Sequence, residues 1–232
     1  GLSPSSLFDY RPLTLRNEKV RAIFKLEAEI LKAFRGYLNG EGFTEIHSPK
    51  IVATGTEGGA NLFCLDYFGR PAFLAQSPQF YKQIMVGAME RVFEVGPVYR
   101  AEEHDTTRHL NEYISLDFEM GFIENMQDLI AMQEGLITHI LNCLAIHCRQ
   151  ELEMYGATLP KAPPLLSGGK IPQIELAQAQ SLLKENYNWQ SQSKDLDAEG
   201  ERLICQHVFE ESGSEFVYIT NYPHHIRPFY AM

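Results

Sequence analysis

The side chains best suited to chemistry lie in one segment of the chain, FEVGPVYRAEEHDTTRHLNEYISLDFEM, and they suit the binding of phosphate and of a purine base. Arg100 carries a planar, permanently charged fork that can grip an α-phosphate, and Glu102 can accept a hydrogen bond from an exocyclic amine. Arg108 and His109 follow where more distal phosphates would lie, and Tyr113 offers a flat face to a purine. A single Arg-x-Glu pair is more typical of a solvated hairpin tip, so the interpretation depends on the whole set.

Two strands and a loop are needed to position these side chains. Apolar residues precede Arg100, and alternating apolar residues follow Tyr113, which predicts the two strands of an antiparallel hairpin. The first group is Val92, Phe93, Val95 and Val98, and the second is Ile114, Leu116, Phe118 and Met120. The charged run between the two strands, AEEHDTTRH, is predicted to be a long loop.

The hairpin resembles motif 2 of the class II aminoacyl-tRNA synthetases, and the likeness continues upstream. The stretch from LNGEGFTEIHSPK to VYRAE resembles the aspartyl-tRNA synthetases of the archaeal and eukaryotic type, from motif 1 into motif 2. The matching blocks occur in order and at fitting distances: EGGA, QSPQFYKQ, YRAE, TTRHLNE and LDFEM. Such a series is far more specific than one short motif. The resemblance is strong over residues 8 to 125 and weak over 160 to 232.

The resemblance implies a role for individual residues. It makes Arg100 the expected catalytic residue, which would stabilise negative charge on the α-phosphate, while Glu57 would contact the α-amino group of L-aspartate and Lys82 its side-chain carboxylate. The expected aspartate-binding residues are Glu57, Gln79, Lys82, Arg100 and Asp117, and the expected ATP-binding residues are Arg100, Glu102, Arg108, His109, Leu110 and Tyr113. Mg²⁺ is expected to accompany ATP, with its ligands outside the sequence, and no metal ligand is assigned within it.

An amphipathic helix is predicted between Val20 and Leu38, because apolar residues recur there at every third or fourth position. Phe43, Ile46 and Pro49 then indicate a short strand. On its own this pattern is typical of a helix that packs on the sheet of its own domain. The resemblance identifies the helix and strand as motif 1, which implies a homodimer formed through this region.

The fold implied by the resemblance is an α+β domain, a class II synthetase-like antiparallel sheet flanked by helices and incomplete at its C-terminal end. Residues 1–232 would be a partial catalytic domain, and the N-terminal anticodon-binding domain and the glycine-rich motif 3 are expected to be absent from the chain. Since motif 3 would supply an opposing arginine, the chain alone is expected to be a poor catalyst.

Residues 126 to 155 are predicted to form one long helix. It carries His139, Cys143 and His147 at four-residue intervals, which is a spacing of metal ligands. Their apolar neighbours are more typical of a packed helix interface, so no metal site is predicted. Further on, 184 to 200 is predicted to be exposed, 202 to 211 to be helical, and Ile226 with its successors to form a core strand.

Composition limits the class of protein. A chain of 232 residues with 44% hydrophobic and 22% charged residues is typical of a soluble globular protein. A net charge of -10 argues against broad nucleic-acid binding, but it leaves room for a local patch that binds the acceptor end of a tRNA. Four cysteines without CxxC spacing favour a reducing compartment, and the sequence indicates neither a signal peptide nor an 18-residue apolar run. A cytoplasmic protein with no membrane association is expected.

The function implied is that of an aspartate-tRNA ligase, which activates L-aspartate with ATP and transfers it to tRNA in protein biosynthesis. Asparaginyl-tRNA synthetases and synthetase-like asparagine synthetases share the scaffold and are the enzymatic alternatives. A relaxed enzyme that charges the tRNAs of both aspartate and asparagine is also left open, because the choice of tRNA would be made outside this sequence. Lys82 argues against asparagine, because a buried ammonium is poorly compensated by an amide. A synthetase-derived binding or dimerisation module without turnover is the non-enzymatic alternative.

Overall fold

The computed structural model describes residues 3–56, 61–103, 110–160, 170–190 and 195–227. The chain divides into two compact units, Gly1–Tyr155 and Gly156–Met232, and each has its own apolar core. All of the site residues predicted from the sequence fall in the first unit.

Helices of the first unit are α1 (Pro4–Asp9), α2 (Arg11–Thr14), α3 (Glu18–Gly40), α4 (Gln79–Met89), α5 (Met126–His147) and α6 (Arg149–Tyr155). Asn17 begins α3, because its side-chain oxygen accepts hydrogen bonds from the backbone N–H groups of Lys19 and Val20. Just past its end Gly42 has a φ of +80°, a left-handed conformation that glycine adopts without steric cost. The predicted amphipathic helix is therefore confirmed, and it is slightly longer than the apolar pattern indicated.

Strands of the first unit form two three-stranded sheets. The order in one sheet is β1 (Thr44–Glu45), β5 (Arg91–Tyr99) and β6 (Glu112–Met120), and in the other it is β2 (Ile51–Val52), β4 (Arg70–Leu74) and β3 (Cys64–Tyr67). Only the β1–β5 pair is parallel among the described strands of this unit. The sheets are linked where Tyr99 N donates to Ala75 O at 3.0 Å and Ala75 N donates to Lys50 O at 3.0 Å. The predicted α+β class is confirmed.

The hairpin of β5 and β6 has two chemically different faces. Because side chains alternate along a strand and directly opposed residues share a face, the register Phe93↔Phe118 and Glu94↔Asp117 separates two sets. The apolar set packs in the core with Phe34, Leu38 and Leu136 of α3 and α5. The other set is largely polar and is the face on which the candidate site lies.

The C-terminal helices of the first unit correct one prediction. The expected single helix over 126 to 155 is broken at Cys148, which has ψ +25°, so α5 and α6 are separate helices. α5 is also long and apolar enough to cross a membrane by length and composition, contrary to the sequence-based expectation. Met132 and Leu136 of α5 are buried in the core of this unit, which is the ordinary role of such a helix in a globular protein.

The second unit contains β7 (Gln173–Glu175) paired in parallel with β8 (Tyr218–Thr220), helices α7 (Leu176–Tyr187) and α8 (Ala198–Ser212), and a 3₁₀ turn (His224–Ile226). The predicted helix over 202 to 211 is confirmed as part of α8. The core strand expected around Ile226 is wrong up to Arg227, since a 3₁₀ turn is formed there. The remainder of that expected strand, from 228, lies outside the described residues.

Most described residues of 184 to 200 are exposed as expected, but Trp189 and Leu196 are buried in the core of the second unit. Asp197 explains how the indole is accommodated, since its carboxylate accepts from Gly200 N at 2.8 Å and from Trp189 Nε1 at 3.0 Å. The Gly200 hydrogen bond, and then that of Trp189, lower the pKa of Asp197. A Cβ at position 200 would come 3.0 Å from the indole, so any larger residue there would force the indole to shift.

Candidate active site

The candidate site is built on the polar face of the β5–β6 hairpin. Glu94 of β5 is directly opposite Asp117 of β6, and the neighbouring pairs on the same face are Val92 with Glu119 and Gly96 with Ser115. Lys82 reaches this face from the end of the first turn of α4. Three separated sequence blocks are therefore brought together, as the resemblance implied for Lys82 and Asp117.

Lys82 is the centre of a polar cluster. Its Nζ lies 3.0 Å from Asp117 Oδ1 and 3.3 Å from Glu119 Oε2. The Lys82 and Asp117 side chains are only 12% and 20% exposed, so solvent screens this pairing weakly. Ser115 donates its hydroxyl hydrogen to the second carboxylate oxygen of Asp117 and thereby fixes the orientation of that carboxylate. The cluster can present both a cation and two anions to a zwitterionic substrate.

The protonation state of Lys82 follows from this environment. Burial disfavours the charged form, but Asp117 and then Glu119 outweigh it, and the pKa of Lys82 lies above its ordinary value. Lys82 is therefore an ammonium at neutral pH, and its contribution to stability is lost only as the pH rises through that raised pKa. Within the described part of the chain, two of its three N–H donors are taken by carboxylates. The third can donate to a substrate carboxylate.

Arg100 lies immediately after β5, where the backbone pairing of the hairpin continues. The backbone N–H of Arg100 donates to Asn111 O at 2.9 Å, and the backbone N–H of Ala101 donates to Asn61 O at 3.0 Å. With its carboxamide oriented to donate, Asn111 also bonds the carbonyl oxygens of Arg100 at 3.1 Å and of Glu102 at 3.0 Å. This Asn111 clamp holds the end of β5 and the start of β6 together and fixes the backbone that carries Arg100.

The other predicted ATP-binding residues in the described part of the hairpin differ in exposure. Tyr113 is half-buried, opposite Val98, and Glu102 is also half-buried. Leu110 is 63% exposed, so its side chain is available to a ligand or to solvent. Glu57, Arg108 and His109, which the sequence assigned to the amino acid and to distal phosphates, lie outside the described residues.

Gln79 is placed differently from Lys82 although both belong to α4. It is buried at 3% exposure in the first turn, where its backbone N–H is 3.3 Å from Ser77 Oγ. Its side-chain Nε2 lies 3.5 Å from Gln83 Oε1 along the same helix. The described contacts of Gln79 are thus with Gln83 of its own helix and with Ser77 just before that helix. They do not join Gln79 to the Lys82 cluster.

Sequence reasoning missed a second ion pair on the site face, between Glu94 and Lys50. Glu94 is 3% exposed, bonds Lys50 Nζ, and accepts from Ser48 N at 2.8 Å. A Cβ at Gly96 would come 3.0 Å from Glu94 Oε1 and 3.4 Å from Lys50 Cε, so glycine leaves room for the pair. Glu94 lies in an otherwise apolar strand, and a lone acid in such a run was the available signal.

Glu119 was also missed, although the block LDFEM contains it. Its period-two relation to Asp117 places both carboxylates on one face of β6, which alternation alone could have shown. What alternation could not show is that Lys82, from a different element, bonds both. Glu119 therefore belongs to the site through Lys82.

The two carboxylates of the Lys82 cluster are poorly placed to bind magnesium. Asp117 and Glu119 are engaged by Lys82, and a magnesium ion prefers free carboxylate and water oxygens. Among the described ranges, the group of side chains with metal-holding spacing is Glu29, Cys143 and His147, whose sulfur and nitrogen atoms do not suit Mg²⁺. No step of the chemistry is therefore assigned to a metal held by these residues.

The fold is that of the class II aminoacyl-tRNA synthetases. A family model described as tRNA synthetases class II (D, K and N) matches residues 3–232. The chain therefore belongs to this D, K and N family of class II tRNA synthetases.

Curated relatives carry a more particular name. The chain is 54% identical over 231 residues to an aspartate-tRNA(Asp/Asn) ligase of Deinococcus radiodurans, covering 100% of this chain and 52% of that protein. It is 44% identical over 227 residues to an aspartate-tRNA(Asp) ligase of Pyrococcus horikoshii, covering 97% of this chain and 50% of that protein. The chain thus spans about half the length of the curated relatives it matches.

Solved structures agree on the fold and include a second amino-acid specificity. An asparaginyl-tRNA synthetase from Pyrococcus horikoshii, complexed with asparaginyl-adenylate, superposes with a TM-score of 0.83 at 31% identity, covering 99% of this chain and 51% of that one. An aspartyl-tRNA synthetase from Entamoeba histolytica has a TM-score of 0.81 at 29% identity, covering 100% and 44%. The class II synthetase fold predicted from the sequence is confirmed.

Proposed function

We propose that this chain supplies the aspartate- and ATP-binding part of an aspartate-tRNA ligase. The observation that carries the proposal is the ammonium of Lys82, held by Asp117 and Glu119 on the sheet face that leads to Arg100. The names of the curated relatives support aspartate over the other amino acids of the family.

The first half-reaction would be formation of aspartyl-adenylate. An oxygen of the aspartate α-carboxylate attacks the α-phosphorus of ATP, a new P–O bond forms, and the bond to the leaving pyrophosphate breaks. The guanidinium of Arg100 would neutralise charge on the α-phosphate, while Lys82 and Asp117 hold the amino acid in line. Such catalysis depends on positioning and on preorganised charge. The Asn111 clamp would position the backbone of Arg100, and the Lys82 cluster would supply preorganised charge.

In the second half-reaction a ribose hydroxyl of the tRNA acceptor end would attack the acyl carbon, releasing AMP. The net charge of -10 makes broad electrostatic attraction to tRNA unfavourable, so local contacts would hold the acceptor end. We propose that Mg²⁺ enters with ATP, with ligands other than the described residues. All four cysteines are free thiols, which supports the proposal of a cytoplasmic location.

The test of this function is amino-acid-dependent exchange of pyrophosphate into ATP by the purified full-length protein. Aspartate, asparagine and lysine should be compared, because the family name covers all three. We expect exchange with aspartate and at least about 100-fold less with asparagine, since an amide leaves the Lys82 ammonium poorly compensated. Exchange that depends on asparagine or lysine instead would contradict the proposal.

A homodimer is the proposed assembly, formed through the outward face of α3. Ile23 is 52% exposed on α3 and Ile114 is 46% exposed on β6. Together with Leu26, Ile30 and Leu116 they line an apolar surface groove of about 420 Å³. The opposite side of α3 packs in the core of the first unit. A two-fold axis would bury this face against the same face of a second copy.

Replacing Ile23 with glutamate should weaken that dimer. Two-fold symmetry places the new charge in the interface twice, so we expect the dimer dissociation constant to rise by about 10- to 100-fold. Sedimentation velocity across micromolar concentrations measures the change. Phe209→Glu is the matched control, because Phe209 is similarly exposed at 42% but lies on α8 of the second unit. A monomeric wild-type protein at all of these concentrations would refute the proposed interface.

A further inference from the structure

Three side chains capable of ligating a metal converge between α3 and α5, in residues that the proposed reaction does not use. Glu29 of α3, Cys143 of α5 and His147 at the end of α5 place one ligand atom each within 4.8 Å of one another. Cys143 and His147 are one helical turn apart, so they project from the same side of α5. Glu29 comes from a segment more than a hundred residues earlier in the chain.

We propose that Glu29, Cys143 and His147 form a binding site for a zinc-type divalent cation that joins α3 to α5. A thiolate and an imidazole select zinc and similar transition metals, and a carboxylate oxygen completes a mixed set that zinc accepts. Three protein ligands leave a fourth tetrahedral position for water.

Local geometry supports binding with little rearrangement. Tetrahedral zinc with N, O and S ligands needs ligand atoms about 3.5 Å apart, so the observed spacing requires only small side-chain rotations. His147 Nδ1 already faces Glu29 Oε1 at 2.6 Å, and the ion would insert between them. The Glu29 side chain is 13% exposed and His147 is 48% exposed, so the site has a fixed inner ligand and an opening to solvent.

Two further side chains lie beside the three proposed ligands. His139 Nε2 lies 3.5 Å from Cys143 Sγ, but its ring packs against Tyr37 with a centroid separation of 5.5 Å. Lys32 Nζ is 3.8 Å from Glu29 Oε2, and the Lys32 side chain is 74% exposed, so it can withdraw into solvent when a cation binds. The ordinary competing explanation is an ion pair between His147 and Glu29 with Cys143 as a bystander.

Titration of the purified metal-free chain with Zn²⁺, and separately with Co²⁺ as a spectroscopic probe, tests the proposal. We expect one ion per chain and a sulfur-to-cobalt charge-transfer band. Cys143→Ser should abolish that band, and both Cys143→Ser and Glu29→Gln should weaken Zn²⁺ binding by more than the roughly 10-fold that loss of a second-shell partner costs.

Matched controls are Cys64→Ser and Cys205→Ser, because both cysteines are exposed and lie outside the group. These variants should keep the wild-type affinity and the charge-transfer band. Far-ultraviolet circular dichroism checks that each variant is folded. If Cys143→Ser does not fold, the milder Glu29→Gln variant tests the site in its place. Absence of stoichiometric binding by the wild type, or equal binding by folded Cys143→Ser, would overturn the site and leave a His147–Glu29 ion pair only.

Discussion

Replacement of Lys82 by leucine is expected to reduce kcat/KM for aspartate in pyrophosphate exchange by about 100- to 1,000-fold. The substitution removes the cation that would receive the substrate carboxylate. It also leaves Asp117 and Glu119, side by side on one face of β6, without the cation they share, in a site where their side chains are only 20% and 26% exposed. Removing one partner from such a buried charge network commonly costs about 3–5 kcal/mol, roughly 150- to 5,000-fold, and the expected loss overlaps the lower part of that range.

The exchange assay should be run at several aspartate concentrations in the full-length protein. Lys184→Leu is the matched control, because it makes the same chemical change at an exposed position of α7 and should leave exchange unaltered. Retained ATP binding would show that the Lys82 variant is folded. If folded Lys82→Leu exchanges pyrophosphate as fast as the wild type, Lys82 does not bind aspartate.

Replacement of Arg100 by lysine is expected to lower kcat for adenylate formation by about 100- to 1,000-fold, which is typical for the loss of one preorganised electrostatic group. Lysine keeps the positive charge but not the planar fork that can donate two parallel hydrogen bonds to a phosphate. The backbone at this position should be unchanged, because the Asn111 clamp engages main-chain atoms of Arg100 and Glu102. The defect should therefore arise from the side chain.

Single-turnover formation of adenylate separates this chemical step from product release. Arg202→Lys is the control, since Arg202 pairs with Glu199 on the exposed surface of α8 and its side chain is 57% exposed. A folded Arg100→Lys variant with nearly unchanged single-turnover rate would rule out a role for the guanidinium fork.

The sequence indicated the hairpin well because its physical signal is local. Alternation from Ile114 to Met120 depends only on the two-residue period of a strand, and β6 ends at Met120 as that pattern predicts. Likewise the apolar stripe from Val20 to Leu38 is a property of one helix, and α3 contains all of it. These features were predicted without any long-range contact.

Features that require two distant segments were not predictable in the same way. The pairing of Lys82 with Glu119 and of Glu29 with His147 depends on how helices pack beside strands or beside one another, which no local period encodes. Trp189 was expected to be exposed because its neighbours are polar, yet Asp197 gives its indole N–H a partner and allows burial. Local sequence patterns therefore predicted helices and strands, while tertiary packing determined which side chains pair with one another.

Strand β6 contributes to both the proposed aspartate site and the proposed dimer interface. Ile114 and Leu116 line the apolar groove on one side of this strand, and Ser115 and Asp117 belong to the Lys82 cluster on the other. A one-residue insertion or deletion within β6 would exchange these faces beyond the point of change. Catalysis and subunit pairing would then fail together, so the spacing of this strand is constrained twice and should tolerate substitutions far better than changes in length.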